Sequence, residues 1–167
     1  HRPLDLSDLR AELQARGIDV LRVLYSDVLG ITRSKDMLVT QMERALGHGP
    51  TFCQGVWVTT THGDVLDAHG SVSDGLPDLV TRIVPSMIRD IPWEPGVAYA
   101  VADVYEPDGS SHPTAPRSVL ASVIEGYTEL GLTPVTGPEL EYYVMEDRDG
   151  RWERTFDHKG LVYTTGA

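Results

Sequence analysis

The order of apolar and polar positions divides the chain into short elements of two different periods. Leu6, Leu9 and Leu13 recur at helical spacing and Gly17 follows in a stopping position, which predicts an amphipathic helix over 6–16. Residues 19–26 and 31–39 are β-prone runs on either side of an Asp27–Gly30 turn. Thr40-Gln41-Met42-Glu43 has the form of a capping box, predicting a short helix to Leu46 closed by Gly47. Segments 51–58, 78–84 and 97–105 are further strand candidates. The turn formers that crowd 61–77 predict an exposed loop. After a Pro107-Asp108-Gly109 turn, Thr114 is placed to cap a helix with Pro116 in its first turn. That helix carries an apolar face of Val119, Leu120, Val123, Ile124, Tyr127 and Leu130, and Gly131 ends it. A strand over 135–144 follows, then a hairpin turn at Asp147-Arg148-Asp149-Gly150 and a strand over 151–156. There is neither an internal repeat nor a low-complexity segment.

Candidate chemistry concentrates in Val135-Thr136-Gly137-Pro138-Glu139-Leu140-Glu141-Tyr142-Tyr143-Val144. On a strand, Glu139 and Glu141 share one face about 6–7 Å apart, with Leu140, Tyr142 and Val144 on the opposite, buried face. Such a separation suits two ions about 4 Å apart, each taking one carboxylate. Hard oxygen ligands aimed at phosphate chemistry favour Mg²⁺ or Mn²⁺. The spacing alone is equally that of a solvated strand edge with two charged residues pointing outward.

Five pieces of the chain, in order, resemble the glutamine synthetase family. Gly137-Pro138-Glu139-Leu140-Glu141-Tyr142-Tyr143 is similar to its Gly-x-Glu-x-Glu-aromatic strand. Leu21–Gly30 resembles the opening hairpin with its Asp-x-x-Gly turn, and Asp78–Pro85 the next core strand. Ala102–Pro107 and then Pro116-Arg117-Ser118-Val119-Leu120 resemble the strand and Pro-Arg helix start that lead into the catalytic domain. The resemblance implies an α+β protein: a β-grasp amino-terminal domain, residues 1–110, followed by the start of an α/β catalytic domain, residues 111–167. It implies an ATP-dependent ligase that joins ammonia or an amine to the γ-carboxyl of glutamate through a γ-glutamyl phosphate. By position, Glu141 binds the metal on the glutamate side and Glu139 the metal that holds the ATP phosphates. It further implies a ring-shaped homo-oligomer with active sites shared between neighbours. Family members are considerably longer, so the chain is expected to be an amino-terminal portion, inactive by itself. The remaining metal ligands, the ATP loop and most catalytic residues are expected beyond Ala167.

The loop Gly49-Pro50-Thr51-Phe52-Cys53-Gln54-Gly55 bears on the acceptor. In ammonia-using relatives the comparable loop carries an Asp after a Phe, which holds the ammonium ion. Cys53 and Gln54 stand there instead, and neither is anionic. That departure favours a bulkier amine, with Asp64 or Asp67 as possible substitutes for the acid. As a nucleophile Cys53 lacks a paired His, so an inert buried thiol is the expectation. Three readings follow: a glutamate–amine ligase, glutamine synthetase itself, and a non-catalytic β-grasp module for assembly or regulation.

Composition narrows the partners. The chain has 167 residues, 41% hydrophobic, with a net charge of −11. Such a surface repels phosphate backbones and argues against nucleic-acid binding. No apolar run approaches the ~20 residues of a bilayer span, and no signal peptide is expected. The single cysteine fits a reducing cytoplasm. His62, Asp64, Asp67 and His69 are irregularly spaced among turn residues and are taken as a polar surface loop rather than a metal cluster. Arg117 is assigned a structural ion pair, Arg33 and Lys35 a solvated face, and Trp57, Trp93 and Trp152 packing roles.

Overall fold

A computed structural model describes residues 5–67 and 72–154. His69, residues 155–156 of the last expected strand and the segment 163–167 lie outside them. By contacts the chain forms two compact units, His1–Thr133 and Pro134–Ala167. The helix expected from Pro116 onward lies within the first of these units.

The first unit opens with α1 (Leu6–Ala15), where Asp5 caps the Ser7 and Asp8 amides. Next come β1 (Val20–Ser26), β2 (Thr32–Leu38), α2 (Met42–Gly47) and β3 (Thr51–Cys53). β4 (Asp78–Asp90), β5 (Val97–Tyr105) and α3 (Pro116–Glu129) complete it. The five strands form one sheet in the order β2-β1-β5-β4-β3, antiparallel except for the central β1–β5 pair. The mixed α+β class expected from the sequence is the one that forms.

β1 and β5 alternate strictly between buried and half-buried residues, the period-2 pattern of a sheet with one face on a core. β5 contributes Ala98, Ala100 and Ala102 to that face, and α1 sets Leu9 and Leu13 into the same cluster beside Leu21, Val23 and Met42. The core continues through Tyr25, Phe52, Trp57, Leu79, Val104 and Ala115. Tyr25 and Phe52 stack with centroids 4.0 Å apart.

Several elements differ from the sequence expectation. The capping box does not form: a 3₁₀ turn over Val39–Gln41 precedes α2, whose N-cap is Gln41 without a side-chain bond. The strand expected over 51–58 stops at Cys53 and tightens into a 3₁₀ turn, Gln54–Val56. β4 runs well past residue 84, because Pro85 does not end the strand but falls where its register slips. Between Ile83 and Ile88 β4 advances five positions while β5 gives up two, an irregularity that accommodates a residue with no amide to donate. The apolar face of α3 is exposed from Val119 to Leu130, and Trp93 and Trp152 are exposed rather than packed.

In the second unit, β6 (Met145–Arg148) and β7 (Arg151–Arg154) pair as a hairpin. Asp149 and Gly150 both have positive φ (53° and 79°), as a two-residue type I′ turn requires. The strand expected over 135–144 is absent: residues 132–144 carry no regular secondary structure. An extended run becomes a strand only when a partner takes its amides and carbonyls, and no described strand pairs with this one.

Candidate functional site

Two places carry the residues singled out from the sequence. The first is the segment before β6. Glu139 and Glu141 are both exposed, as are Leu140 and Tyr142, so the two-faced strand geometry that set the carboxylates side by side above a buried face is not realised. Neither glutamate is bonded to another described residue. Both remain accessible carboxylates, oxygen donors of the kind a hard divalent ion takes. Among the described residues, however, no group of three or more His, Cys, Asp or Glu side chains comes together. The pair fits such an ion in donor chemistry, and further donors would have to complete its coordination. Tyr143 is held beneath the guanidinium of Arg154, 4.3 Å from the ring centroid.

The second place is the turn after β3. Phe52 is buried in the core, which fixes where the chain leaves the sheet. Cys53 is part-buried rather than buried, and its Sγ accepts the Gly55 amide at 3.3 Å, a local cap of the turn. A Cβ at Gly55 would lie 2.8 Å from the tip of Leu76 and 3.3 Å from the Cys53 sulfur, so the turn packs closely there. Gln54 points inward and is buried.

What receives Gln54 was not visible in the sequence. His112 is 4% exposed, and its Nδ1 lies 3.2 Å from both the Thr114 amide and the Thr114 hydroxyl. An amide can only donate, so Nδ1 is an acceptor and the proton of the neutral ring sits on Nε2. Nε2 faces the nitrogen of the Gln54 carboxamide at 3.5 Å and the Glu106 carboxylate at 3.7 Å. A carboxamide presents either end by a half-turn, and against an N–H the oxygen belongs there. The Thr114 hydroxyl accepts from the indole N–H of Trp57 at 3.0 Å. Thr114 is therefore no helix cap; Ala115 occupies the N-cap of α3 without a side-chain bond, with Pro116 following. Burial holds the His112 pKa below its ordinary value, and the nearby Glu106 carboxylate opposes that shift.

Neighbouring residues lock this region. Arg117 Nε donates to Asp103 at 2.6 Å, the structural ion pair expected of it. Arg33 was expected on a solvated face, but it pairs with Asp27, which is 2% exposed. Lys35 is exposed, as expected, and its ammonium donates to the Thr51 carbonyl at the head of β3. His62 and Asp64 lie in an exposed loop, where the Thr60 hydroxyl accepts both of their amides.

No family model matches the chain. Its homologues are members of the glutamine synthetase family. It is 29% identical over 164 residues to gamma-glutamylethanolamide synthetase GlnA4 of Streptomyces coelicolor, an alignment covering 96% of this chain and 35% of that protein. It is 28% identical over 142 residues to glutamine synthetase of Methanosarcina mazei, covering 83% and 29%. The gamma-glutamylanilide synthase of an Acinetobacter species is 23% identical over 148 residues, covering 81% and 29%. The chain thus spans about a third of the length of these relatives. Among solved structures, a GmaS/ADP complex superposes with a TM-score of 0.58 at 24% identity, covering 74% of this chain and 26% of that one. A Plasmodium falciparum glutamine synthetase gives 0.57 at 14% identity, covering 77% and 23%. Both share the fold.

Proposed function

We propose that this chain, a member of the glutamine synthetase family, is the amino-terminal part of an ATP-dependent ligase that joins an amine to the γ-carboxyl of glutamate. The observation that carries the reading is the company of its homologues: glutamine synthetases together with synthetases of γ-glutamyl amides. The central parallel β1–β5 pair, flanked by antiparallel strands, supports a β-grasp amino-terminal domain. We place its boundary with the catalytic domain in the polar turn near residue 110. The uncovered apolar face of α3 supports a further layer of protein over that helix.

In this reading, ATP phosphorylates the glutamate γ-carboxylate, and the amine displaces phosphate from the resulting acyl phosphate to leave an amide. Glu139 and Glu141 would hold divalent ions, Mg²⁺ or Mn²⁺, which when bound neutralise and orient the phosphates. Their accessibility supports that role, and β6–β7 pins the end of the segment that carries them. On the acceptor side, the neutral Cys53 and inward-facing Gln54 favour an amine over ammonia. An ammonium ion needs an anion to hold it and a base to take its proton. Glutamine synthesis, with the acid supplied by Asp64 or Asp67, is the second reading, favoured by the glutamine synthetases among the relatives. The active protein is a homo-oligomer, ring-shaped as the family resemblance implies, working in a reducing cytoplasm.

The test is product analysis on the longer protein that contains this chain, supplied with ATP, glutamate and either ammonia, ethanolamine, polyamines or small alkylamines. A γ-glutamyl amide of a bulkier amine supports the reading, and glutamine alone selects the second. Absence of glutamate-dependent ATP hydrolysis leaves a non-catalytic module. Glu139→Ala and Glu141→Ala should each abolish metal-dependent phosphate release, and full turnover in both sinks the ligand assignment.

A further inference from the structure

The turn that follows β3 is gripped at both ends by one short segment. At its start, Gln54 meets His112 Nε2; at its end, Trp57 Nε1 donates to Thr114. Between them runs a directed chain of hydrogen bonds. The Trp57 N–H gives to the Thr114 hydroxyl, which gives to His112 Nδ1, and the His112 Nε2–H, 3.5 Å from the Gln54 carboxamide nitrogen, gives to the carboxamide oxygen once that amide makes its half-turn. The Trp57 amide closes the loop on itself through the Gln54 backbone carbonyl at 2.8 Å. Trp57 also lies against the imidazole, with centroids 5.3 Å apart. Every donor in the circuit has an acceptor only while His112 is neutral with its proton on Nε2. A proton added at Nδ1 would face the Thr114 amide donor to donor and break the chain at its centre. Two groups face the imidazole from the loop, the Gln54 carboxamide and the Trp57 indole, and both are neutral. From its own segment the facing groups are the Thr114 hydroxyl and the Glu106 carboxylate.

We propose that His112 is a positioning residue: as the neutral Nε2–H tautomer it clamps the Cys53–Trp57 turn into the conformation that meets the acceptor amine. The clamp itself is independent of the proposed reaction, and only its purpose rests on that reading. His112→Asn separates the two halves of the clamp. An Asn oxygen replaces Nδ1 as acceptor for Thr114, but the shorter side chain no longer reaches Gln54.

The experiment uses the 167-residue chain. Imidazole ¹⁵N shifts should identify His112 as the Nε2–H tautomer near neutral pH; an Nδ1–H tautomer overturns the proposal. Cys53, the sole thiol, reports the turn through its labelling rate with a disulfide reagent under native conditions. Loss of one net hydrogen bond should raise the rate in His112→Asn about two- to tenfold, beyond that of Leu9→Ala, a core variant that lowers stability without touching the turn. Equal labelling in the two variants would mean that His112 only adds stability, and overturns the proposal. In the longer enzyme, His112→Asn should raise KM for the amine several-fold more than it lowers kcat, and an unchanged KM overturns the positioning role. If that enzyme makes no γ-glutamyl amide, the functional reading falls, while tautomer and labelling still decide the clamp.

Discussion

Removing the Asp27 carboxylate should be among the most damaging single changes in the first unit, although the residue sits in a hairpin turn. Its side chain is 2% exposed and serves three donors: the Leu29 amide at 3.0 Å, the Ile31 amide at 2.9 Å and Arg33 Nε at 2.9 Å. Asp27→Ala strips all three acceptors at once. The stranded donors differ in what they lose. Leu29 and Ile31 are about half exposed, so water can reach their amides, and Arg33 is itself partly solvated. The cost is therefore set by lost net hydrogen bonds rather than by full desolvation, about 1 kcal/mol each, or about 3 kcal/mol in all. For a chain of this size that corresponds to a fall in Tm of about 6–12 °C.

Asp27→Asn tests whether geometry or charge matters. Its carbonyl oxygen still accepts both backbone amides, while its NH₂ now faces the Arg33 guanidinium. The loss should be confined to the ion pair, about 1 kcal/mol. Urea unfolding followed by far-UV circular dichroism measures both variants against the parent chain. The expected order is parent, then Asn, then Ala. An Ala variant within about 0.5 kcal/mol of the parent would refute the three-donor account, and an Asn variant as unstable as Ala would show that the charge alone holds the turn.

Gly49 should be far less replaceable than Gly17, although both have positive φ (77° and 74°). A Cβ at Gly49 would lie 2.8 Å from the Thr81 carbonyl oxygen and 2.5 Å from Val80 Cγ1, while at Gly17 it meets nothing. Gly17→Ala should cost about 1 kcal/mol and Gly49→Ala at least twice that, read as shifts in urea midpoint. His112 should leave a signature in the pH dependence of stability. Its folded pKa lies below the ordinary value, so the unfolded chain takes up a proton near pH 6.5 that the folded chain refuses. Stability is then fully present above that pH and falls as pH drops toward the folded pKa. The slope should be smaller in His112→Asn, and equal slopes would remove His112 as its source.

Where local chemistry decides structure, the sequence is legible; where a distant partner decides, it is not. β1 and β5 were readable because a half-buried strand writes its face into every second residue. The Asp27–Gly30 and Asp149–Gly150 turns were readable because few residues tolerate their backbone. Thr114 was misread for the opposite reason. Its hydroxyl suits a helix cap, but an indole 57 positions earlier competes for the same oxygen and wins. His112 gave no signal, since Gln54 lies 58 positions away and neither residue follows a periodic pattern. The Glu139–Glu141 segment marks the sharpest form of the same limit. Its alternation of acids and large apolar residues is a strand pattern, yet a strand is a property of a pair. Leu140 and Tyr142 stand exposed where the pattern asks for a buried face. If the segment acquires a pairing strand in the longer protein, those side chains turn inward together and the two carboxylates come onto one face. Completing the sheet would then also complete the geometry of the proposed metal ligands, so folding and metal binding should stabilise each other.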